Sequence, residues 1–159
     1  MSVTTLVVYA SKHGATKEIA EQIARTLREN GIQEVKCLAT DDAVPHLPTA
    51  KTVILGVPIY ATKWFSKGSV FVESNRLELN RPELYVFTVG LAPEMPQDIA
   101  DGVAGYEPKE QVYFRGALSK NDLNLVEKLL IKLAKGIYGD FRDWDKINAW
   151  ATSLAPRIR

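Results

Sequence analysis

Apolar and polar positions along this chain follow two alternating rhythms. Short β-branched runs bounded by turn formers give way to longer stretches in which apolar side chains recur every three to four positions. Val3 to Tyr9 is the first run and reads as a strand, closed by Ser11-Lys12-His13-Gly14. From Thr16 to Glu29, the residues Ile19, Ala20, Ile23, Ala24 and Leu27 share one helical stripe. Asn30-Gly31 stops that helix, because glycine tolerates the left-handed position beyond a helix end. Gln33 to Leu38 reads as a second strand and Thr52 to Val57 as a third. The third is apolar without alternation, as suits a central parallel strand covered on both faces. Ser66 to Leu79 predicts a helix with Val70, Phe71, Ser74 and Leu77 on one face, and Leu84 to Val89 a fourth strand. Residues 91–110 are rich in proline and glycine and predict a long loop with room for one short helix. Val112 to Leu118 is a fifth strand. Leu123, Val126, Leu129, Leu130, Leu133 and Ile137 form a further helical stripe, with Ser119 and Asp122 available as caps and Gly136 near its end. Asp143 caps a last helix carrying Trp144, Ile147, Trp150, Ala151 and Leu154, with Pro156 after its end.

Strands alternating with helices predict an α/β fold, a three-layer α/β/α sandwich around a five-stranded parallel sheet. Right-handed crossovers bring the strand C-termini to one edge, where ligands bind if the strand order reverses. The length, 159 residues, predicts a single domain, 1–159, able to bury roughly 70% of its unfolded surface. The one cysteine, Cys37, excludes an internal disulfide framework and a multi-cysteine zinc site. His13 and His46 lack ligand spacing, so no metal is expected. The N-terminal apolar run is too short for a signal segment, and no run suffices to span a bilayer, so a cytoplasmic protein is expected. A net charge of +1 argues against a basic nucleic-acid binder. That charge is uneven. Residues 1–108 hold 10 basic and 13 acidic groups, residues 109–159 hold 10 and 6.

Three strand ends carry candidate chemistry. The first is Ser11-Lys12-His13-Gly14-Ala15-Thr16, running straight into a helix. Converging backbone amides, a helix N-terminus and two hydroxyls make a phosphate cradle. The alternative is a polar turn with an ordinary N-cap. Neither a P-loop nor a dinucleotide glycine pattern is present. The second end is Val57-Pro58-Ile59-Tyr60-Ala61, continuing to Lys63, Trp64 and Phe65. Aromatic residues beside a phosphate cradle suggest a flat ligand to stack on, although each taken singly reads as core. The third is Thr88-Val89-Gly90-Leu91, where Gly90 allows backbone to approach a ring.

Strand–Ser-Lys-His-Gly-Ala-Thr–helix resembles the phosphate loop of flavodoxins, [ST]-x-[ST]-G-x-[ST]. Ser11, Gly14 and Thr16 match; His13 stands where Thr or Ser is usual and offers its backbone N–H in place of a hydroxyl. Gly56-Val57-Pro58-Ile59-Tyr60 resembles the loop that packs on the flavin ring in that superfamily. The likeness covers the whole chain in order of elements. It runs closest to the branch of small flavodoxin-domain proteins that includes menaquinone-dependent protoporphyrinogen oxidases, through Gly56-x-x-Ile59-Tyr60, Gly116-Ala117-Leu118 and a Leu/Lys-rich helix before a Trp-containing one. The resemblance implies sheet order 2-1-3-4-5 and non-covalent FMN. Its phosphate would lie on residues 11–16, and its ring between 57–61 and 88–91. The flavin would supply the chemistry, with no catalytic side chain.

Two functions follow from the resemblance. One is an FMN-dependent oxidoreductase passing electrons to or from a quinone-type or redox-protein partner. The other is a soluble electron carrier without its own substrate. Dedicated carriers are usually strongly acidic, and this chain is not. Lys120, Lys128, Lys132, Lys135 and Lys146 make the C-terminal third basic, which reads either as a solvated face or as attraction to an anionic membrane surface. The latter would place the protein peripherally at the inner face of the membrane. Lys63 and Lys67 are candidates for contact with an anionic substrate. A phosphoacceptor receiver is disfavoured, because Ala10, Ser11 and Val57 stand where it needs acidic residues.

Overall fold

The computed structural model describes residues 4–60, 62–119, 121, 123–133 and 138–158. Val3, Ala61, Lys120, Asp122, Lys135, Gly136 and Ile137, on which some expectations rest, lie outside them. Five strands, β1 (Thr4–Tyr9), β2 (Val35–Ala39), β3 (Ala50–Tyr60), β5 (Glu83–Gly90) and β6 (Glu110–Arg115), pair in parallel in the order β2-β1-β3-β5-β6. Counted among themselves they run 2-1-3-4-5. The short β4 (Lys63–Trp64) folds back antiparallel on the end of β3.

Two cores form because successive side chains of each strand face opposite ways. On one side Val7, Ile54, Phe87 and Phe114 meet α1 (Ala15–Glu29) and α7 (Trp144–Ile158), whose Ile19, Ile23, Leu27, Ile147 and Leu154 are fully buried. On the other, Leu6, Val8, Val53, Leu55 and Val57 pack under Phe71, Val72, Leu79 and Val103. Those four belong to α3 (Ser66–Ser74), α4 (Arg76–Leu79) and α5 (Gln97–Ala104). A short helix, α2 (Thr40–Ala43), and a 3-10 turn over Val44–Thr49 complete the connection from β2 to β3.

Four local expectations change. The helix expected over Ser66 to Leu79 breaks at Asn75, which is buried and donates its side-chain amide to Phe71 O at 2.8 Å. The buried stripe runs on through the break as Gly68, Phe71, Val72, Asn75 and Leu79, so Val70 and Leu77, on the other face, are exposed. Pro156 lies inside α7 rather than after it. Proline removes one N–H, whose acceptor would be the carbonyl of solvent-facing Thr152, and burial of Ile158 holds the last turn helical. The fifth strand is interrupted at Gly116. Beyond it β7 (Ala117–Leu118) pairs antiparallel with β8 (Gly139–Asp140). The helix of the Leu/Lys stripe, α6 (Leu125–Leu133), starts later than its expected caps. Asn124 Oδ1 accepts Glu127 N–H at 2.8 Å, and Glu127 Oε1 accepts Asn124 N–H at 3.4 Å. This reciprocal pair is a capping box. It turns Glu127 inward and leaves Leu125, Val126 and Leu129 exposed.

Candidate cofactor site

The loop after β1 is a tight backbone turn that runs into a helix N-terminus, and we refer to it as the seat. Ala10 N–H still donates to Gly56 O at 2.9 Å, so the sheet holds the chain up to the loop. Ser11 Oγ then accepts Gly14 N–H at 3.0 Å and closes a tight turn. Gly14 is the N-cap of α1, at φ 94°, with no side-chain cap. A Cβ at Gly14 would meet nothing within 4 Å. The first intrahelical bond is Glu18 N–H to Gly14 O at 3.0 Å. The amides of Ala15, Thr16 and Lys17 therefore have no intrahelical acceptor. A left-handed glycine, open space before it and an uncapped helix N-terminus favour an anion. The N-cap is therefore a glycine, which satisfies none of these amides with a side chain of its own. Thr16 is buried under the turn, and Lys12 is the exposed residue of the loop.

Side chains from two other segments surround this seat. Tyr60 O–H donates to Glu127 Oε2 at 3.0 Å, and Lys12 Nζ lies 3.2 Å from the same oxygen. Lys12 Nζ also sits 4.0 Å above the centre of the Tyr60 ring. His13 Nε2 is 3.0 Å from Glu127 Oε2 but misaligned for a hydrogen bond, and this buried nitrogen has no partner among the described residues. Burial pushes the Glu127 carboxyl up, but Lys12, the Asn124 amide and the Tyr60 hydroxyl outweigh it and hold it at about 2. Burial pulls the Lys12 ammonium down, and hydrogen bonding to Tyr60 and Glu127 more than reverses that, leaving a net upward shift. Glu127 is thus a carboxylate at physiological pH, facing the Lys12 ammonium.

The second strand end is a hairpin rather than an open loop. Ile59 pairs with Trp64 and Tyr60 with Lys63, and Phe65 N–H donates to Pro58 O at 2.8 Å. Val57 is fully buried, so its side chain faces the core, while Pro58, Ile59 and Tyr60 are half-buried at the edge. Trp64 stacks on Tyr106 with ring centroids 6.2 Å apart, and its indole N–H donates to Thr88 Oγ1 at 3.3 Å. It ties the second strand end to the third. Phe65 packs on the core. Of the three aromatics expected to stack on a ligand, Tyr60 remains beside the seat. Lys63 and Lys67 are exposed.

At the third end Thr88 and Val89 are buried and Leu91 is half-buried. A Cβ at Gly90 would come within 2.6 Å of Tyr113 Oη and 3.2 Å of Ile59 Cδ1. Glycine is required there by the protein's own side chains. Two residues of β6 hold the segment: Tyr113 O–H donates to Ala92 O at 2.7 Å, and the Arg115 guanidinium donates to Leu91 O at 3.1 and 2.7 Å. Sequence reasoning missed both, along with Glu127. Alternation marks Tyr113 and Arg115 as ordinary strand residues, whereas Asn124-x-x-Glu127 is a readable capping signal. Cys37 takes no part. Burial pushes its thiol up to about 11, so it stays protonated and inert. A cleft of about 200 Å³ lies away from these strand ends, lined by Val72, Arg76, Leu79, Leu84, Tyr106 and neighbours.

A doubly wound parallel sheet with an anion seat after its first strand defines a class, and comparison supplies the family. The model of the Flavodoxin domain matches residues 6–145, and the chain belongs to that family. Among curated proteins it is 22% identical over 170 residues to protoporphyrinogen IX dehydrogenase [quinone] of Escherichia coli strain K12, covering 95% of this chain and 94% of that one. Among solved structures it is similar to a flavodoxin from the domain Archaea, with a TM-score of 0.63, 15% identity and coverage of 98% and 99% of the two chains. It is also similar to an NADH:FMN oxidoreductase in its apo form, with a TM-score of 0.66, 9% identity and coverage of 99% and 91%. This chain is an FMN-binding redox protein of flavodoxin fold. The residues present fit that cofactor: Gly14 leaves open the volume a phosphate would take, and Lys12 and the orphaned His13 Nε2 stand beside it.

Proposed function

We propose that this protein is an FMN-dependent oxidoreductase that exchanges electrons with a quinone, with a porphyrinogen as the class of reduced substrate. Bound FMN would supply the redox chemistry. The amides of residues 12–16 would hold its phosphate, with Ser11, Lys12, His13, Gly14, Ala15 and Thr16 as the seat. Val57, Pro58, Ile59, Tyr60 and Ala61 would line one side of the ring and Thr88, Val89, Gly90 and Leu91 its other edge. The buried Val57, Thr88, Val89 and Gly90 contribute backbone and shape.

The observation that carries the quinone reading is the face of α6. Leu125, Val126 and Leu129 are 83%, 67% and 56% exposed, and the helix is joined to the cofactor seat through Glu127. Three large exposed apolar side chains with Lys128 and Lys132 on the same short helix suit the surface of an anionic membrane, where a lipid-soluble quinone resides. Among the described residues no helix is long and apolar enough to cross a membrane, so the contact is peripheral. The near full-length similarity to a relative named for protoporphyrinogen IX and quinone supports the same substrate pair.

The test is anaerobic turnover of the FMN-loaded protein with a porphyrinogen and a menaquinone analogue. The expected result is quinone reduction matched, two electrons for two, by porphyrinogen oxidation. Electron delivery to a one-electron acceptor protein with no quinone turnover would instead establish the carrier function. Sedimentation should show binding to anionic vesicles that falls with salt and is reduced by Leu129→Asp. Equal binding to neutral vesicles would overturn the membrane contact.

A further inference from the structure

Glu127 is an unusual occupant for an anion seat. Its residue is 8% exposed. One carboxylate oxygen closes the capping box of α6. The other collects the Tyr60 hydroxyl, the Lys12 ammonium and the flank of His13, all within 3.2 Å. Lys12 and His13 belong to the loop whose amides would bind the cofactor phosphate. A phosphate in that loop would place a second anion against the Lys12 ammonium that Glu127 already holds. Two anions sharing one ammonium repel one another and compete for its donors.

We propose that the Glu127 carboxylate is a resident competitor for the phosphate of FMN: it pairs with Lys12 and Tyr60 and gives them up when phosphate enters. The proposal rests on the assignment of the phosphate to the Ser11–Thr16 loop. It makes Glu127 a determinant of cofactor specificity. A dianionic phosphate displaces the carboxylate, and a flavin without phosphate gains nothing from doing so. It also couples loading to α6, because the group displaced is the third helical residue of that helix. Once its side chain is released, α6 loses the contacts of Glu127 with Lys12 and Tyr60.

The variant Glu127→Gln isolates the charge, since glutamine serves equally well at the third helical position of a capping box. Apoprotein is titrated with FMN and with riboflavin, following quenching of flavin fluorescence at pH 7 and low salt. The expected result is a roughly five- to tenfold tighter Kd for FMN in the variant, with riboflavin affinity unchanged. Weaker or equal FMN binding would show Glu127 to be an organiser of Lys12 or a bystander, and would overturn the proposal. Equal tightening for both flavins would do the same, because it would reveal a steric lid and no competition. Gly14→Asp, measured alongside, separates this failure from failure of the site itself: undiminished FMN affinity in that variant would place the phosphate elsewhere. As an independent readout, inorganic phosphate should speed limited proteolysis within α6 of wild-type apoprotein and leave Glu127→Gln unaffected. An equal response of both proteins would count against displacement.

Discussion

Gly14 and Gly56 belong to the same pair of neighbouring strands, β1 with its loop and β3, and are glycines for opposite reasons. Gly14 has a left-handed backbone, and a Cβ there would meet nothing within 4 Å. Gly56 has no such conformation, and a Cβ there would lie 2.0 Å from Phe87 Cζ. The first glycine keeps a space empty for something outside the chain. The second lets the chain fill its own space. Gly90 belongs with Gly56, since Tyr113 and Ile59 occupy the volume a side chain would need. A glycine at a ligand edge therefore marks a ligand only when both its backbone and its surroundings are inspected.

Gly56→Ala tests the packed end of this contrast and should have the largest effect. Phe87 is fully buried and cannot swing clear, so stability should fall by about 3 kcal/mol, or ~10 °C in Tm. Gly90→Ala should cost about 2 kcal/mol, because Tyr113 must move and give up its bond to Ala92 O. In a Tyr113→Phe background, where the clashing hydroxyl is gone, the same change should cost less than half as much by urea denaturation. Equal costs in both backgrounds would remove Gly90 from the packed class. Gly14→Ala should cost only about 1 kcal/mol, from backbone strain without a clash. A loss as large as that of Gly56→Ala would erase the distinction.

The smallest effect is electrostatic and belongs to the Gly14 side alone. The Glu127 carboxyl is held at about 2 in the folded protein, against an ordinary value of 4.5. A depressed folded value means that its contribution is fully present above pH 4.5 and is lost as pH falls towards 2. The stability difference between wild type and Glu127→Gln should thus be flat from pH 7 to 5 and shrink below 4.5 in chemical denaturation curves. A difference that grows on acidification would contradict the contacts seen at this carboxylate.

Much of this could be read along the chain, for reasons that are local. In α1 the stripe Ile19, Ala20, Ile23, Ala24 and Leu27 is fully buried, because a long amphipathic helix has one way to face a sheet. The turn at Gly14 was legible for the same reason, since strand, loop and helix are contiguous. Reading failed where the deciding contact was distant or where a helix was too short to average out one residue. Val70 and Leu77 were misplaced because the face that is buried, Gly68, Phe71, Val72, Asn75 and Leu79, includes a glycine and an asparagine and so reads as the less apolar one. Val126 and Leu129 were expected on the apolar stripe of α6, yet the capping box directs Glu127 inward and leaves both exposed. Its partner Tyr60 lies 67 positions away, and no periodicity reports that.

The interruption of the fifth strand has a consequence of its own. Leu118 leaves the sheet edge and Gly139 returns directly opposite it, paired in β7 and β8, while Phe141 N–H is received by Gly116 O at 3.0 Å. Entrance and exit of the excursion are neighbours, and the sandwich on either side is closed without it. The segment between them behaves as a cartridge. A change of length there need not shift one register of the sheet, whereas a change of sequence at Glu127 reaches the loop after β1, because this one residue of the excursion meets Lys12 and Tyr60.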